Sequence, residues 1–142
     1  MSKIADLLAD RADTVWSVAS NQPVLDAIKL MAEKNIGAVC VIDDGKLSGI
    51  FSERDFVRKM VVQNRSAEQT TMADVMTENV FSVSRDDDVE RCLKLMSNHN
   101  FRHLPVMDGD KVVGMISTTD IVKAIIKEQR FTIEQLESYI TG

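Results

Sequence analysis

The hydrophobic pattern of the chain occurs twice, and each copy predicts the same elements. A short β-prone run is followed by apolar residues at helical spacing, two apolar runs around a polar turn, and a second helix that begins at a serine. The predicted strands are 15–18, 38–42 and 47–51 in the first copy, and 80–83, 104–107 and 112–116 in the second. The helical faces are Val24, Ile28 and Met31, and Val89, Leu93 and Met96, and the second helices begin at Ser52 and Ser117. Each copy is therefore a β-α-β-β-α unit, and the predicted fold class is mixed α/β (α+β).

A shift of 65 residues aligns the two copies without a gap. Residues 15–58 and 80–123 share 15 identities in 44 positions. Self-similarity at a fixed period indicates that each copy is one structural unit, and two copies are too few for a solenoid. We therefore expect a pseudo-symmetric pair that shares one core. The predicted domains are 1–62 (first repeat with its lead-in), 63–71 (polar linker), 72–127 (second repeat) and 128–142, which holds a separate last helix over 132–140.

Composition and charge narrow the class of protein. The 142 residues are 44% hydrophobic, which is enough for a core, and the net charge of −5 disfavours a nucleic-acid binder that follows phosphates. Two isolated cysteines, Cys40 and Cys92, lack a CxxC pattern and indicate reduced core thiols in a cytoplasmic setting. The first residues carry acids and no long apolar run, so neither a signal peptide nor a membrane span is expected.

A short motif occurs once in each copy, as GIFSERD at 49–55 and GMISTTD at 114–120. Its Ser-x-x-Asp part lies at a strand-to-helix junction and has the form of a capping box, which alone would explain it. The same geometry also suits a nucleotide. A helix N-terminus presents unpaired N–H groups to an anion, and a carboxylate beside it accepts hydrogen bonds from the hydroxyls of a ribose.

A second polar patch begins the middle strand of the second copy. Arg102 and His103 lie there among apolar residues, and two cationic groups in that setting favour an anionic ligand. The first copy has Gly37 and Ala38 at the corresponding positions, so we do not expect the two copies to bind alike.

The tandem repeat, the two motifs, NFRHLPVMD at 100–108 and the lead-in MADVMT at 72–77 together resemble a CBS domain pair. This is the cystathionine-beta-synthase-type repeat, also called a Bateman module. The resemblance covers about 4–127, with no accompanying enzyme, channel or transporter domain, which implies a stand-alone pair. It also implies two three-stranded sheets that pack on each other and leave ligand clefts between the repeats.

The resemblance implies a regulatory module that senses energy state or a metabolite by binding an adenosine-containing ligand. AMP, ADP and ATP are the expected ligands, with NAD and S-adenosylmethionine as further members of the class. Asp55 and Asp120 would hold the ribose, and we expect the site at Asp120 to be the better formed. The other expected ligand-binding residues are Ser117, Thr119, Arg102, His103, Thr14, Val15 and Val18 with Asp120, and Ser52, Arg54, Thr77, Val80 and Ser82 with Asp55.

The alternative function is a constitutive protein-interaction module whose clefts bind nothing. Catalysis is not expected, because no Gly-rich phosphate loop or nucleophile-base set is present. No metal site is expected either, since His99 and His103 are the only histidines. The resemblance implies a homodimer and an unidentified protein effector, with no nucleic-acid or membrane partner. The candidate interface residues follow the two motifs and are Phe56, Val57, Met60 and Val61, and Ile121, Val122, Ile125 and Ile126.

Overall fold

A computed structural model of the chain describes residues 2–9, 11 and 14–141. Its helices are α1 (Ile4–Leu8), α2 (Val24–Lys34), α3 (Glu53–Asp55, continued by a π-helical segment Phe56–Val61), α4 (Met72–Val75), α5 (Val89–His99) and α6 (Thr118–Thr141). Its strands are β1 (Ser17–Val18), β2 (Ala38–Asp43), β3 (Lys46–Ser52), β4 (His103–Asp108) and β5 (Lys111–Ser117). This mixture confirms the predicted α+β class. Within this part of the chain, no helix has the length and apolar character that crossing a membrane requires.

The described residues fall into two compact units. The first unit lies within Met1–Asp13, Ser82–Met107 and Gly114–Gly142, and the second lies within Thr14–Phe81 and Asp108–Val113. The second unit contains a three-stranded sheet in the order β1-β2-β3, with β1 parallel and β3 antiparallel to β2. The β2–β3 turn passes through Asp44 and Gly45, which both have positive φ and so form the tight hairpin turn that the sequence predicts.

The strand predicted over 80–83 is wrong, and so is the expected second sheet of three strands. Strands β4 and β5 form a two-stranded sheet, and only Val83 pairs beside it, through a parallel bridge to Val106. In the other copy, the amide of Cys40 donates to the carbonyl of Trp16 and extends the ladder by one bond. The position that corresponds to Cys40 is Pro105, which has no N–H to donate, so the pairing stops at Val83.

The helices α2 and α5 bury one face each, as their spacing predicts. Helix α2 buries Val24, Ala27 and Met31, and helix α5 buries Val89, Cys92 and Met96. Both helices end at an asparagine in the left-handed conformation, Asn35 and Asn100, whose amide bonds the carbonyl four residues earlier. This is a common way to stop a helix without glycine, since asparagine tolerates positive φ.

Each unit also holds a short lead-in segment, which binds in the same way in both. In the second unit, the amides of Met72 and Ala73 donate to the carbonyls of Gln22 and Ser20. In the first unit, the corresponding bonds join Ile4 and Ala5 to Asp87 and Arg85, at 2.9 and 3.0 Å. The amides that start the two long helices complete the match, since Val24 donates to Thr70 and Val89 donates to Ser2. The pattern IADLL at 4–8 therefore matches MADVM at 72–76, with a shift of 68 residues.

The separate last helix predicted over 132–140 is wrong. Helix α6 runs without a break from Thr118 to Thr141. The sequence between those residues has neither glycine nor proline, and its polar stretch 127–130 consists of good helix formers.

Both cysteine thiols are buried, and burial raises the pKa of Cys40 to about 12 and the pKa of Cys92 to about 11. Because the thiolate is the reactive form, we expect neither thiol to react within minutes with a disulfide reagent near pH 8, where both thiols are protonated. After unfolding in guanidinium, both should react at once. Rapid titration of either thiol in the folded chain would contradict this burial.

Candidate functional site

The carboxylate of Asp120 lies at the start of helix α6 with both oxygens engaged. Its Oδ2 accepts the backbone N–H of Ser117 at 2.8 Å, and the amide of Asp120 donates back to Ser117 Oγ at 3.2 Å. Its Oδ1 lies 2.8 Å from Nη2 of Arg11. Arg11 also donates from Nη1 to the carbonyl of Met115 at 2.9 Å, so its guanidinium bridges the carboxylate and strand β5.

The environment keeps Asp120 ionised. Burial raises the pKa of Asp120, but the Ser117 amide and the Arg11 guanidinium outweigh it, and the net shift of the pKa is downward. These bonds therefore stabilise the folded chain above the ordinary pKa of an aspartate, and the stabilisation is lost as the pH falls through the lowered value. At neutral pH the group is an anion that can accept hydrogen bonds from hydroxyls.

Asp55 holds the corresponding position in the second unit. Its Oδ2 accepts the amide of Ser52 at 3.0 Å and the Ser52 hydroxyl at 3.1 Å, which completes the predicted capping box. Its Oδ1 accepts the Thr77 hydroxyl at 3.3 Å and lies 3.4 Å from Lys59 Nζ. Lys59 donates further to the carbonyl of Val75 at 2.9 Å and to Thr77 Oγ1 at 3.2 Å. Each carboxylate thus has one oxygen on its serine and the other beside a cation.

The glycine of each motif lies where a lead-in segment passes close to the strand. A Cβ on Gly49 would lie 2.7 Å from the carbonyl oxygen of Thr77, and one on Gly114 would lie 2.9 Å from Cδ2 of Leu8. Backbone approach this close at Gly49 leaves no room for a side chain. The glycine therefore sets the distance between the strand and the segment that carries Thr77.

The backbone of Arg102 lies at the start of helix α6, where its carbonyl accepts the amide of Thr118 at 2.9 Å. The matching bond in the other copy joins Glu53 to the carbonyl of Gly37 at 3.0 Å. The Arg102 side chain is exposed, and His103, the first residue of β4, is half-buried. Thr119 and Arg54, the variable residues of the two motifs, are exposed.

The residues expected to line an adenine base have different surroundings. Thr77 contacts Asp55 as described above, Val80 is half-buried, and Ser82 is exposed. Thr14 is exposed and Val15 is half-buried, whereas Val18 is 6% exposed and belongs to the core of the second unit. Thr14, Val15 and Val18 belong to the second unit and Asp120 to the first, so their association with Asp120 stays a prediction.

Two cationic residues that contact the carboxylates were not among the predicted site residues. Lys59 lies four residues after Asp55 on the same helical stretch, a spacing that signals an ion pair. Arg11 is more than 100 residues from Asp120 in sequence and lies just after α1. Across the described residues, no three His, Cys, Asp or Glu side chains are grouped closely enough to hold a metal ion.

The family model for the CBS domain matches this chain twice, at residues 6–62 and 72–127. The chain therefore belongs to the CBS domain family and carries a pair of these domains. Among named relatives, the mitochondrial CBS domain-containing protein CBSX3 of Arabidopsis thaliana is 36% identical over 148 residues, which cover 98% of this chain and 72% of CBSX3. The CBS domain-containing protein YhcV of Bacillus subtilis (strain 168) is 31% identical over 121 residues, which cover 85% of this chain and 84% of YhcV.

Solved structures of CBS proteins share the fold. A protein with CBS domains from Burkholderia ambifaria MC40-6 superposes with a TM-score of 0.86 at 43% identity, covering 90% of this chain and 96% of its own. The CBS domain pair of protein MJ0100, solved in complex with 5′-methylthioadenosine and S-adenosyl-L-methionine, superposes with a TM-score of 0.80 at 27% identity. That match covers 90% of this chain and 98% of the MJ0100 pair. These likenesses confirm the predicted family and fold class.

Proposed function

We propose that this chain is a regulatory module that binds an adenosine-containing ligand. The observation that supports this most is the Asp120 carboxylate, which is ionised, lies at the start of a long helix, and is oriented by the Ser117 amide. A carboxylate held in this way accepts hydrogen bonds from the two hydroxyls of a ribose. The MJ0100 pair, of the same family and fold, binds two ligands that contain adenosine.

The proposed site at Asp120 also uses Ser117, Thr119, Arg102 and His103, which would contact ribose or phosphate. Thr14, Val15 and Val18 would line the base there. In the proposed second site, Asp55 would hold the ribose with Ser52, Arg54 and Thr77, while Val80 and Ser82 would line the base. AMP, ADP, ATP, NAD and S-adenosylmethionine are the candidate ligands. The ligand would regulate by favouring one conformation of the chain, in proportion to its differential affinity for the two.

We propose no catalytic role for these groups. The Ser52 hydroxyl donates to Asp55 and accepts the Asp55 amide, so both side chains serve helix initiation rather than nucleophilic attack. The proposed setting is the cytoplasm, which suits two buried free thiols. The proposed repeats are 1–62 and 72–127, with 63–71 as the linker and 128–142 as a C-terminal segment.

We also propose that two copies of the chain associate, and that an unidentified protein effector reads the ligand-bound conformation. In the helices that follow the two motifs, Met60 and Ile121 are buried. Val57, Val61, Val122 and Ile126 on the same helices are between 42% and 59% exposed. Apolar side chains left outside the core in this way favour an interface.

Thermal unfolding against a ligand panel tests the proposed function. A ligand present at 100 times its dissociation constant stabilises the native state by about 2.7 kcal/mol. For a chain of this length that is a rise in Tm of about 5–10 °C. We expect such a rise with at least one of AMP, ADP, ATP, NAD, S-adenosylmethionine and 5′-methylthioadenosine. No rise with any of the six would contradict the proposal.

Arg11 should compete with the ligand for Asp120. The ion pair occupies Oδ1, the oxygen that the Ser117 amide leaves available, so a ribose must displace the guanidinium or share the oxygen with it. Both side chains are partly exposed, and such a pair is worth at most about 1 kcal/mol. We therefore expect Arg11→Ala to tighten binding of 5′-methylthioadenosine, which has no phosphate, by up to about fivefold. Weaker binding, measured by calorimetry, would instead make Arg11 a ligand contact.

A further inference from the structure

The second half of helix α6 extends beyond the part of the helix that packs in the first unit. Near its start the helix buries Ile121 and half-buries Ala124, Ile125 and Glu128, and it packs against α5. Every residue from 129 to 141 is exposed. A helix of this length without packing is marginally stable in water, so its order calls for a partner.

The apolar residues on the exposed side of α6 follow the spacing of a coiled coil. Their positions alternate steps of four and three residues, which is a period of 3.5. The seam consists of Val122, Ile126, Gln129, Ile133, Leu136 and Ile140. Its five apolar members are 42%, 43%, 53%, 58% and 80% exposed, in chain order. Gln129 is the one polar member, and a polar residue in such a seam fixes register at some cost in stability.

The charges beside the seam favour a second copy in the antiparallel orientation. With Ile126 facing Leu136 of the second copy, Ile133 faces its Gln129 and Ile140 faces its Val122, so all six seam positions are paired. The same alignment places Lys123 beside Glu137 of the second copy, twice by symmetry. It also brings the two copies of Arg130 together at the centre, where they repel. A parallel arrangement would set Lys123 against Thr118 and Glu137 against Thr132, with no ion pair.

We propose that α6 forms an antiparallel two-stranded coiled coil with α6 of a second copy of this chain, along the seam from Val122 to Ile140. This deepens the homodimer of the proposed function, because it names the surface and the orientation. The occupant follows from the self-complementary layers and from the Lys123–Glu137 pairing. The proposal does not depend on ligand binding.

Sedimentation of the full chain from about 1 to about 200 μM tests the seam, because association depends on protomer concentration. We expect a dimer for the natural sequence and, for Leu136→Glu, a dissociation constant raised by at least about a hundredfold, since the change places a charge in both seam layers. Ser138→Glu is the matched control, because it adds the same charge two residues away, off the seam. It should change the dissociation constant by less than about threefold. Ile140→Glu, near the helix end and remote from the core, should act like Leu136→Glu.

Charge reversal tests the orientation. Lys123→Glu and Glu137→Lys should each weaken the dimer severalfold, and the double variant should restore it, because only the antiparallel arrangement joins these two side chains. Circular dichroism should show all variants folded, since every changed residue is exposed.

The outcomes separate this inference from the proposals on which it builds. A dimer that tolerates both Leu136→Glu and Ile140→Glu would overturn the coiled coil and leave the homodimer standing. A monomer at the highest concentration would overturn both. A dimer weakened by the seam variants, with no rescue by the double charge reversal, would overturn the antiparallel orientation. Ligand binding is read separately, by calorimetry on the Leu136→Glu variant.

Discussion

Asp120→Asn should remove most of the affinity for an adenosine-containing ligand. The substitution keeps the size of the side chain and one carbonyl oxygen, but replaces the charged oxygen that the ribose needs with an amide group that cannot accept. Hydrogen bonds to a charged group contribute about 1.5–3 kcal/mol each, so the loss of one weakens binding by about 10- to 150-fold. In a thermal assay at fixed ligand concentration, we expect the ligand-induced rise in Tm to disappear.

Asp87→Asn is the matched control for Asp120→Asn. Asp87 also follows a serine by three residues and accepts its amide, from Ser84, at 2.8 Å, and it also lies beside an arginine, Arg91, at 3.4 Å. The two aspartates therefore share their local geometry, and Asp87 is not part of the Gly-to-Asp motif. Ligand affinity should be unchanged in Asp87→Asn. Equal loss of affinity in the two variants would show that Asp120 acts through the stability of a helix start alone.

Ile4→Ala should destabilise the chain by about 2–5 kcal/mol, the usual cost of removing a large buried aliphatic side chain. Ile4 is fully buried although it lies in a five-residue helix near the N-terminus. Its amide donates to the carbonyl of Asp87, so the lead-in is bonded to the first unit as well as packed in it. Chemical denaturation monitored by circular dichroism measures the loss.

Two further variants calibrate the Ile4 result. Ile4→Val removes one methyl group and should cost about 0.5–1.5 kcal/mol, in proportion to the smaller cavity. Val62→Ala shortens a side chain that is 74% exposed, and should change the free energy of unfolding by no more than about 0.5 kcal/mol. If Ile4→Ala had as little effect as Val62→Ala, the lead-in would not be part of the core.

Most of the fold could be predicted from the sequence because the two copies carry the same hydrophobic pattern. The apolar faces of α2 and α5, the hairpin turns and the serine at each second helix start are local signals, and the structure confirms them. The strand over 80–83 could not be predicted correctly from its own residues, because its length is limited by Pro105 on the neighbouring strand. The uninterrupted α6 was missed because a polar stretch was given more weight than the absence of a helix breaker.

The candidate site could be predicted in part. The serines and aspartates of the two motifs are close in sequence, and their hydrogen bonds follow from capping geometry. Arg11 was out of reach, because its contact with Asp120 depends on where the lead-in binds. The signal for that docking is the match of IADLL at 4–8 to MADVM at 72–76, which a comparison at a constant shift of 65 residues hides.

Calorimetric titration of the full chain with each adenosine-containing ligand, alongside Asp120→Asn and Asp87→Asn, tests the central claim most directly. We expect saturable binding of at least one ligand to the natural sequence and to Asp87→Asn, with binding weakened by at least about tenfold in Asp120→Asn. A folded chain that binds none of the ligands would contradict the proposed function. Binding unaffected by Asp120→Asn would show that the ribose is not held at Asp120.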